Sequence, residues 1–129
     1  MSAYLLDTNA YSMVLTGDPR LPANALQQIT SAHRLALSVM SLYEIGQKVR
    51  LDKWPEMAPH VETLEQRAIA DGFDLINLTA SSALKAATMD WAHRDPFDRM
   101  IAATALQEDL PLISSDTAFD DLGLKRIWQ

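Results

Sequence analysis

Four carboxylate residues of this sequence stand where the ends of strands and the starts of helices would bring them together. Asp7 directly follows the apolar run 4–6, and Asp116 closely follows the apolar run 112–114. Each of the other two lies near the start of a segment whose apolar residues have helical spacing. The full set is Asp7, Glu44, Asp98 and Asp116. Like charges gathered within a few ångströms repel one another and raise each other's pKa values. No Lys or Arg directly follows Asp7, Glu44 or Asp116, so a bound metal ion is the expected cation that relieves the repulsion.

The ligand types predict which metal would bind. Carboxylate, hydroxyl and water oxygens suit Mg2+ or Mn2+, whereas zinc favours His and Cys. The chain has no cysteine, and its histidines, His33, His60 and His93, fall outside the strand-end positions, so we expect surface or core roles for them. Carboxylates with Mg2+ in an open crevice usually act on phosphate esters. The residues alone leave open whether the substrate is a phosphodiester or a phosphomonoester.

Each carboxylate also has a purely structural interpretation. Ser41 and Glu44 have the spacing of a capping box, in which the glutamate reaches back to the helix start. Asp95 before Pro96 is a typical helix start, and Asp98 would then complement the helix dipole. Asp7 and Asp116 have a residue type that is common in turns and caps. We expect Asp95 to be the cap and the other four to form the site.

The elements that must position these residues alternate along the chain. Short apolar runs predict strands, and segments with apolar residues at helical spacing follow them. This alternation predicts a three-layer α/β/α sandwich with a central parallel sheet of four to five strands, in which ligands bind beyond the carboxyl ends of the strands. The predicted strands are Ala3–Leu6, Leu35–Val39, Phe73–Leu78, Leu112–Ser114 and a weaker fifth, Lys125–Trp128. The helical spacings include Leu42, Ile45 and Val49; Val61, Leu64 and Ala68; Ala80, Leu84, Ala87 and Trp91; and Phe97, Met100, Ile101 and Thr104.

Length and composition limit the function classes. With 129 residues and 48% apolar residues, the chain should form a single domain over residues 1–129. Pro55 and Pro59 predict a projecting helical hairpin around residues 51–70. A net charge of −6 argues against binding nucleic acid through bulk charge. The chain has no apolar run of the roughly 20 residues that a membrane span needs, so we expect a cytoplasmic protein with no membrane contact.

Four sequence blocks in order resemble the PIN domain family, most closely the VapC-like toxins of toxin-antitoxin pairs. They are residues 5–9 (LLDTN), residues 38–45 with Ser38, Ser41 and Glu44, residues 95–105 (DPFDRMIAATA) and residues 112–116 (LISSD). The resemblance implies a Mg2+- or Mn2+-dependent endoribonuclease. Asp7, Asp98 and Asp116 would be metal ligands, and Glu44 would bind the ion directly or through water. Asn9 and Ser115 match polar positions that would support the ligands.

The resemblance also implies an RNA substrate, a cognate antitoxin and a homodimer. Basic residues near the carboxylates could line an RNA-phosphate rim, namely Lys48, Arg50 and Arg99. Apolar residues of the predicted hairpin could contact the antitoxin or else cover the domain's own core, namely Trp54, Met57, Val61 and Leu64. Two other functions stay open, a phosphatase or phospho-acceptor domain that uses Asp7 and a non-catalytic PIN-like interaction module.

Overall fold

A five-stranded parallel sheet forms the centre of the protein. The structure, a computed structural model, describes residues 2–129. The strands lie in the order β3-β2-β1-β4-β5, and every neighbouring pair is parallel. The predicted parallel sheet is therefore confirmed with five strands. Their bounds are β1 Ala3–Leu6, β2 Arg34–Ser38, β3 Phe73–Ile76, β4 Leu112–Ile113 and β5 Arg126–Ile127.

Six α-helices and two 3-10 helices connect the strands. The α-helices are α1 Thr8–Thr16, α2 Ala23–Ser31, α3 Val39–Arg50, α4 Leu64–Ala70, α5 Ala80–Thr88 and α6 Pro96–Glu108. The 3-10 helices are Pro55–Thr63 and Thr117–Leu122. The apolar spacing predicted helices in the regions of α3 to α6 but not α1 or α2. The apolar spacing predicted that α5 extends to Trp91. The helix ends at Thr88, and Trp91 packs into the core from the following loop.

Two apolar cores lie on opposite faces of the sheet because side chains alternate along each strand. Leu6, Leu37 and Ile113 belong to one core, which also contains apolar residues of α1, α2, α3 and α4. Their strand neighbours Leu5, Ala36 and Leu112 belong to the other, which contains the apolar side of α6. The sheet thus lies between two layers of helices, as the three-layer prediction requires.

Some apolar side chains of the segment around residues 51–70 belong to the first core. Met57 in the 3-10 helix Pro55–Thr63 is 1% exposed, and Leu64 at the start of α4 is 4% exposed. Both belong to the core that contains Leu6. These two apolar side chains turn inward, and the projecting hairpin stays a prediction.

The strand order places a crevice at the carboxyl ends of β1 and β4. From β1 the chain builds outward to β2 and β3 on one side and later adds β4 and β5 on the other. Such a reversal separates the loops that leave the two neighbouring strands, and this is where parallel sheets bind ligands. Among residues 2–129, no helix combines the length and apolar character needed to cross a membrane.

Candidate metal-dependent active site

Asp7 lies at the carboxyl end of β1 and is both a helix cap and a buried acid. Its Oδ1 accepts the Ala10 N–H at 2.8 Å, which caps α1, and its Oδ2 accepts the Ser114 hydroxyl at 2.5 Å. Burial, together with smaller effects of the negative charges of Asp98 and Glu44, raises the pKa of Asp7 to about 6. These two carboxylates therefore lie near enough to influence Asp7.

Ser114 connects the ends of the two central strands. Its Oγ donates to Asp7 and accepts the N–H of Asp116 at 3.0 Å. The hydroxyl that donates to Asp7 is thus that of Ser114, whereas Ser115 is exposed, and support of the carboxylates by Ser115 stays a prediction. The pairing of Leu6 with Ile113 explains this placement, since the next residues along the two strands are Asp7 and Ser114.

Asn9 and Ser115 lie at the border of a cleft beside the crevice. Both side chains line this cleft, which has a volume of about 720 Å³ and extends between α1 and the 3-10 helix Pro55–Thr63. Asn9 is exposed and points to solvent-accessible space instead of being buried with Asp7. Support of the carboxylates by Asn9 therefore stays a prediction.

Glu44 is buried within α3 and is not part of a capping box. The helix begins at Val39, and its cap is Ser38, whose Oγ accepts the Met40 N–H at 3.1 Å. Ser41 instead accepts a hydrogen bond from the Thr8 hydroxyl at 2.9 Å. Glu44 therefore lies in the second turn of α3, where the capping-box interpretation does not apply.

The two oxygens of Glu44 have different surroundings. Glu44 is 4% exposed, and its Oε2 accepts from Lys48 Nζ at 2.7 Å. Among the residues that the structure describes, its Oε1 is buried without any hydrogen-bond partner. The sequence predicts Lys48 as a rim residue but not its pairing with Glu44, because Lys48 lies one helical turn after Glu44 and not next to it. A buried carboxylate oxygen without a donor has the surroundings expected of a ligand atom.

The start of α6 separates the roles of its two acids. Asp95 caps the helix, and its Oδ1 accepts the N–H groups of Phe97 at 2.8 Å and Asp98 at 3.4 Å. Asp98 lies one turn further and contacts His93, whose Nε2 is 2.7 Å from Asp98 Oδ2. Burial raises the pKa of Asp98, with Glu44 among the negative charges that add to the effect. The prediction that Asp95 is the cap is confirmed.

Asp116 begins the 3-10 helix Thr117–Leu122 and completes the crevice. Its Oδ1 accepts the Ala118 N–H at 2.9 Å, and its Oδ2 lies 4.0 Å from His93 Nε2. Single ligand atoms of His93, Asp98 and Asp116 all lie within 4.8 Å of one another. The expectation that His93 lies away from the carboxylates was therefore wrong. The loop between α5 and α6 folds back over the crevice, and this return is not visible in local sequence spacing.

The predicted phosphate rim changes because Arg99 has a structural role. Its guanidinium donates to four backbone carbonyls, those of Ala86, Met89, Trp91 and His93, at 2.6 to 2.8 Å. These bonds fix the loop between α5 and α6 and leave Arg99 with little capacity to bind a phosphate. Lys48 and Arg50 stay as predicted rim residues, Lys48 paired with Glu44 and partly exposed, and Arg50 exposed.

The predicted antitoxin surface is reduced in the same way. Met57 and Leu64 are buried in the core, which leaves little of either side chain for a partner to contact. Trp54 and Val61 are half-buried and pack against the same core. Trp54 also lines the 720 Å³ cleft, and Lys48 Nζ lies 5.5 Å from the centre of its ring. Helical apolar spacing does not distinguish an inward face from a binding face.

The donor set fits a hard divalent cation. The negative charge of Glu44 acts on both Asp7 and Asp98, and Asp116 joins them through Ser114 and His93. Oxygen ligands of this kind suit Mg2+ or Mn2+. The free Oε1 of Glu44 is the feature that a bound ion or its water would satisfy.

The chain matches one protein family over nearly its full length. The family model of the PIN domain matches residues 4–125, whereas no curated protein sequence matches the chain. Three solved structures are similar in fold. VapC20 of Mycobacterium tuberculosis, described as a sarcin-ricin loop cleaving toxin, has a TM-score of 0.70 and 15% identity over 99% of this chain and 100% of that chain. VapBC2 of Rickettsia felis, bound to a promoter DNA fragment, has a TM-score of 0.65 and 17% identity over 98% of this chain and 99% of that chain. FitAcB of Neisseria gonorrhoeae has a TM-score of 0.66 and 23% identity over 96% of each chain.

Proposed function

Because this chain belongs to the PIN domain family, we propose that it is a Mg2+- or Mn2+-dependent endoribonuclease, the toxin of a toxin-antitoxin pair. PIN domain proteins are nuclease-type hydrolases. The observation that carries the proposal is the buried Glu44 carboxylate, whose Oε1 has no partner among the described residues, at the sheet edge where Asp7 and Asp98 also lie. Such an oxygen costs free energy unless a ligand satisfies it.

Asp7, Asp98 and Asp116 would hold the ion, with Glu44 bound to it directly or through a water molecule. A bound Mg2+ or Mn2+ makes water a better nucleophile and neutralises charge on the phosphate that is attacked. Positive charge is needed there, because the carboxylates would otherwise repel RNA phosphates. The crevice offers little from the protein itself, since Arg99 is held by backbone carbonyls and Lys48 is paired with Glu44.

The chain's own groups would orient the reactants. Ala10 N–H and the Ser114 hydroxyl fix both oxygens of Asp7, so the carboxylate needs no rearrangement when an ion binds. Lys48 fixes one oxygen of Glu44 and leaves Oε1 free to accept a proton from a water molecule. Lys48 and Arg50 would contact the RNA phosphates that flank the cut.

The surroundings of Asp7 argue against the alternative of a phosphatase that uses this residue as a nucleophile. Asp7 is 5% exposed, and each of its oxygens already accepts a hydrogen bond. An attacking carboxylate must be reached by the whole phosphate group, whereas each Asp7 oxygen keeps a second lone pair that a much smaller metal ion can reach. Asp7 is better suited to holding a cation than to forming an acyl phosphate.

Expression in a bacterial host tests the nuclease proposal. We expect the wild type to produce discrete cuts in total RNA, Asp7→Asn to produce none, and EDTA to abolish cleavage by the purified wild type. Asp121→Asn is the matched control, since Asp121 is exposed and should retain wild-type cleavage. Cleavage by Asp7→Asn, or cleavage that persists in EDTA, would contradict the proposal.

A cognate antitoxin and a homodimer belong to the same proposal. The solved structures with this fold include toxin-antitoxin complexes, which supports a partner that silences the enzyme. A crevice with four carboxylates would attract a guanidinium, so we expect the partner to place an arginine there. The cleft beside Trp54 offers a half-buried aromatic surface next to that crevice.

Co-purification from the native host tests the partner. We expect a small protein to accompany the wild type in a complex that contains two copies of this chain, and Trp54→Ala to weaken the association. Leu84→Ala serves as a control, because Leu84 is exposed on α5. Equal recovery of the small protein by the wild type and a folded Trp54→Ala variant would exclude this surface.

A further inference from the structure

We propose that His93 is a nitrogen ligand of the metal ion, together with Asp98 and Asp116, and that it gives the site a preference for Mn2+ over Mg2+. This inference rests on the proposed metal-dependent function and adds one residue to it. The three residues come from different parts of the chain, since His93 lies in the loop before α6, Asp98 in the first turn of α6 and Asp116 after β4. They meet only in the folded protein.

The distances suit a shared ion. His93 Nε2 lies 2.7 Å from Asp98 Oδ2 and 4.0 Å from Asp116 Oδ2, and all three ligand atoms lie within 4.8 Å of one another. In an octahedral site with bonds of about 2.1 Å, neighbouring ligands are about 3.0 Å apart and opposite ligands about 4.2 Å apart. The two separations from His93 Nε2 fall within about 0.3 Å of these distances, and the third, which is at most 4.8 Å, exceeds them by up to about 0.6 Å. Side-chain movements of this size would bring the three atoms around one ion.

The backbone of His93 is held firmly enough to build a site. Arg99 Nη1 donates to the carbonyls of Trp91 at 2.7 Å and His93 at 2.8 Å. The Trp91 ring packs against the imidazole with centroids 4.9 Å apart, and its Nε1 donates to Ala118 O at 3.2 Å. Trp91 thus links His93 to the 3-10 helix that begins after Asp116, so the imidazole is positioned from both sides.

A second feature of the crevice points to a ligand independently of His93. Glu44 is 4% exposed, its Oε1 has no partner among residues 2–129, and its charge acts on both Asp7 and Asp98. The His93 side chain itself is 27% exposed, which leaves a path for an ion. Imidazole binds first-row transition ions better than it binds Mg2+. Replacing one oxygen ligand by His93 Nε2 therefore moves the preference toward Mn2+.

Pulsed electron paramagnetic resonance of bound Mn2+ tests the proposal directly, because an imidazole ligand adds a nitrogen modulation to the echo decay. We expect this modulation in the wild type and in His33→Gln, whose histidine is exposed and remote from the crevice in sequence. It should be absent from His93→Gln. The Mn2+ affinity should fall by about tenfold or more in His93→Gln, since even loss of a group that only orients a ligand costs about 10-fold to 100-fold in affinity, and the Mg2+ affinity should fall less.

The outcomes separate this inference from the proposed function. Mn2+ bound to the wild type without nitrogen modulation, or modulation that persists in His93→Gln, would overturn the role of His93 and leave the carboxylate site standing. A wild type that binds no Mn2+ would overturn both. Circular dichroism and thermal unfolding in EDTA establish that His93→Gln is folded, and His93→Asn provides a second variant if it is not.

Discussion

At the scale of single residues, Asp7 combines opposing effects on its charge. Burial raises its pKa, whereas the hydrogen bonds from the Ser114 hydroxyl and the Ala10 N–H lower it, and burial has the larger effect. The result is a carboxyl whose pKa rises from 3.8 to about 6 on folding. Such a group holds its proton more tightly in the folded chain, so the folded state loses stability as the pH rises through this window.

This shift predicts a pH dependence of stability in metal-free buffer. The change from 3.8 to about 6 corresponds to about 3 kcal/mol, fully present below pH 3.8 and lost as the pH rises through about 6. We expect Asp7→Asn to lack this contribution and to exceed the wild type in stability at neutral pH in EDTA. Urea unfolding at a series of pH values measures the difference, with Asp121→Asn as the exposed control. Parallel curves for the wild type and Asp7→Asn would contradict the buried, destabilised carboxylate.

At the scale of elements, the start of α6 assigns different tasks to two acids three residues apart. Asp95 caps the helix, whereas Asp98 contacts His93. We expect Asp95→Asn to retain fold and cleavage because Asn caps nearly as well as Asp, and Asp95→Ala to cost about 1 kcal/mol. Asp98→Asn should retain the fold and lose cleavage. Chemical unfolding and single-turnover RNA cleavage measure the two effects. An inactive Asp95→Asn beside an active Asp98→Asn would reverse the assignment.

The loop between α5 and α6 depends on a single guanidinium. Arg99 satisfies four carbonyls of residues 86–93, and a lysine ammonium cannot reproduce this planar arrangement. We expect Arg99→Lys to lose about 2 to 3 kcal/mol, since charged hydrogen bonds contribute about 1.5 to 3 kcal/mol and unsatisfied carbonyls add to the cost. Arg94→Lys, at an exposed neighbouring position, should be nearly neutral. Thermal unfolding compares the two variants, and equal melting temperatures would show that the contacts of Arg99 contribute little.

The elements also show how far the sequence predicts the structure. The five strands were predictable because each is a short apolar run with clear flanks, and the prediction errs only by one or two residues at their ends. Helix α1 was missed because its cap, Asp7, was considered chiefly as a site residue, and its sequence 8–16 is rich in Thr, Ser and Asn, which are weak helix formers. Helix α2 follows Pro22 without any side-chain cap.

The site was less predictable than the fold because its contacts are long-range. The positions of the carboxylates could be predicted from strand ends. Predicting the contact of the Ser114 hydroxyl, in contrast, requires knowing that β1 pairs with β4. Predicting the position of His93 requires knowing the path of a whole loop. Four hydrogen bonds from Arg99 to backbone carbonyls determine that path. Met57 and Leu64 show the same limit, since their apolar character does not reveal which side of the segment faces the core.

At the scale of the whole molecule, the fold gathers negative charge at one edge of the sheet. The chain already carries a net charge of −6, and its nearby cations are engaged, with Lys48 on Glu44, Arg99 on backbone carbonyls and Arg126 on Asp120. Burial first, and the neighbouring negative charges second, raise the pKa values of Asp7 and Asp98. A divalent cation at this edge would offset the repulsion, and it would do so only in the folded state, where the carboxylates are together.

Metal binding should therefore stabilise the whole domain. An ion present at about 100 times its dissociation constant adds about 2.7 kcal/mol to the stability of the folded state, which corresponds to roughly 10 °C in melting temperature for a domain of this size. We expect this shift with Mn2+ for the wild type and for Asp121→Asn. It should shrink to a few degrees at most in Asp7→Asn and Asp98→Asn, because each loses a charged ligand. The Asn oxygen at position 7 can still accept the Ala10 N–H that caps α1. Differential scanning calorimetry with and without Mn2+ measures the shift, and equal shifts in all four proteins would place the bound ion elsewhere.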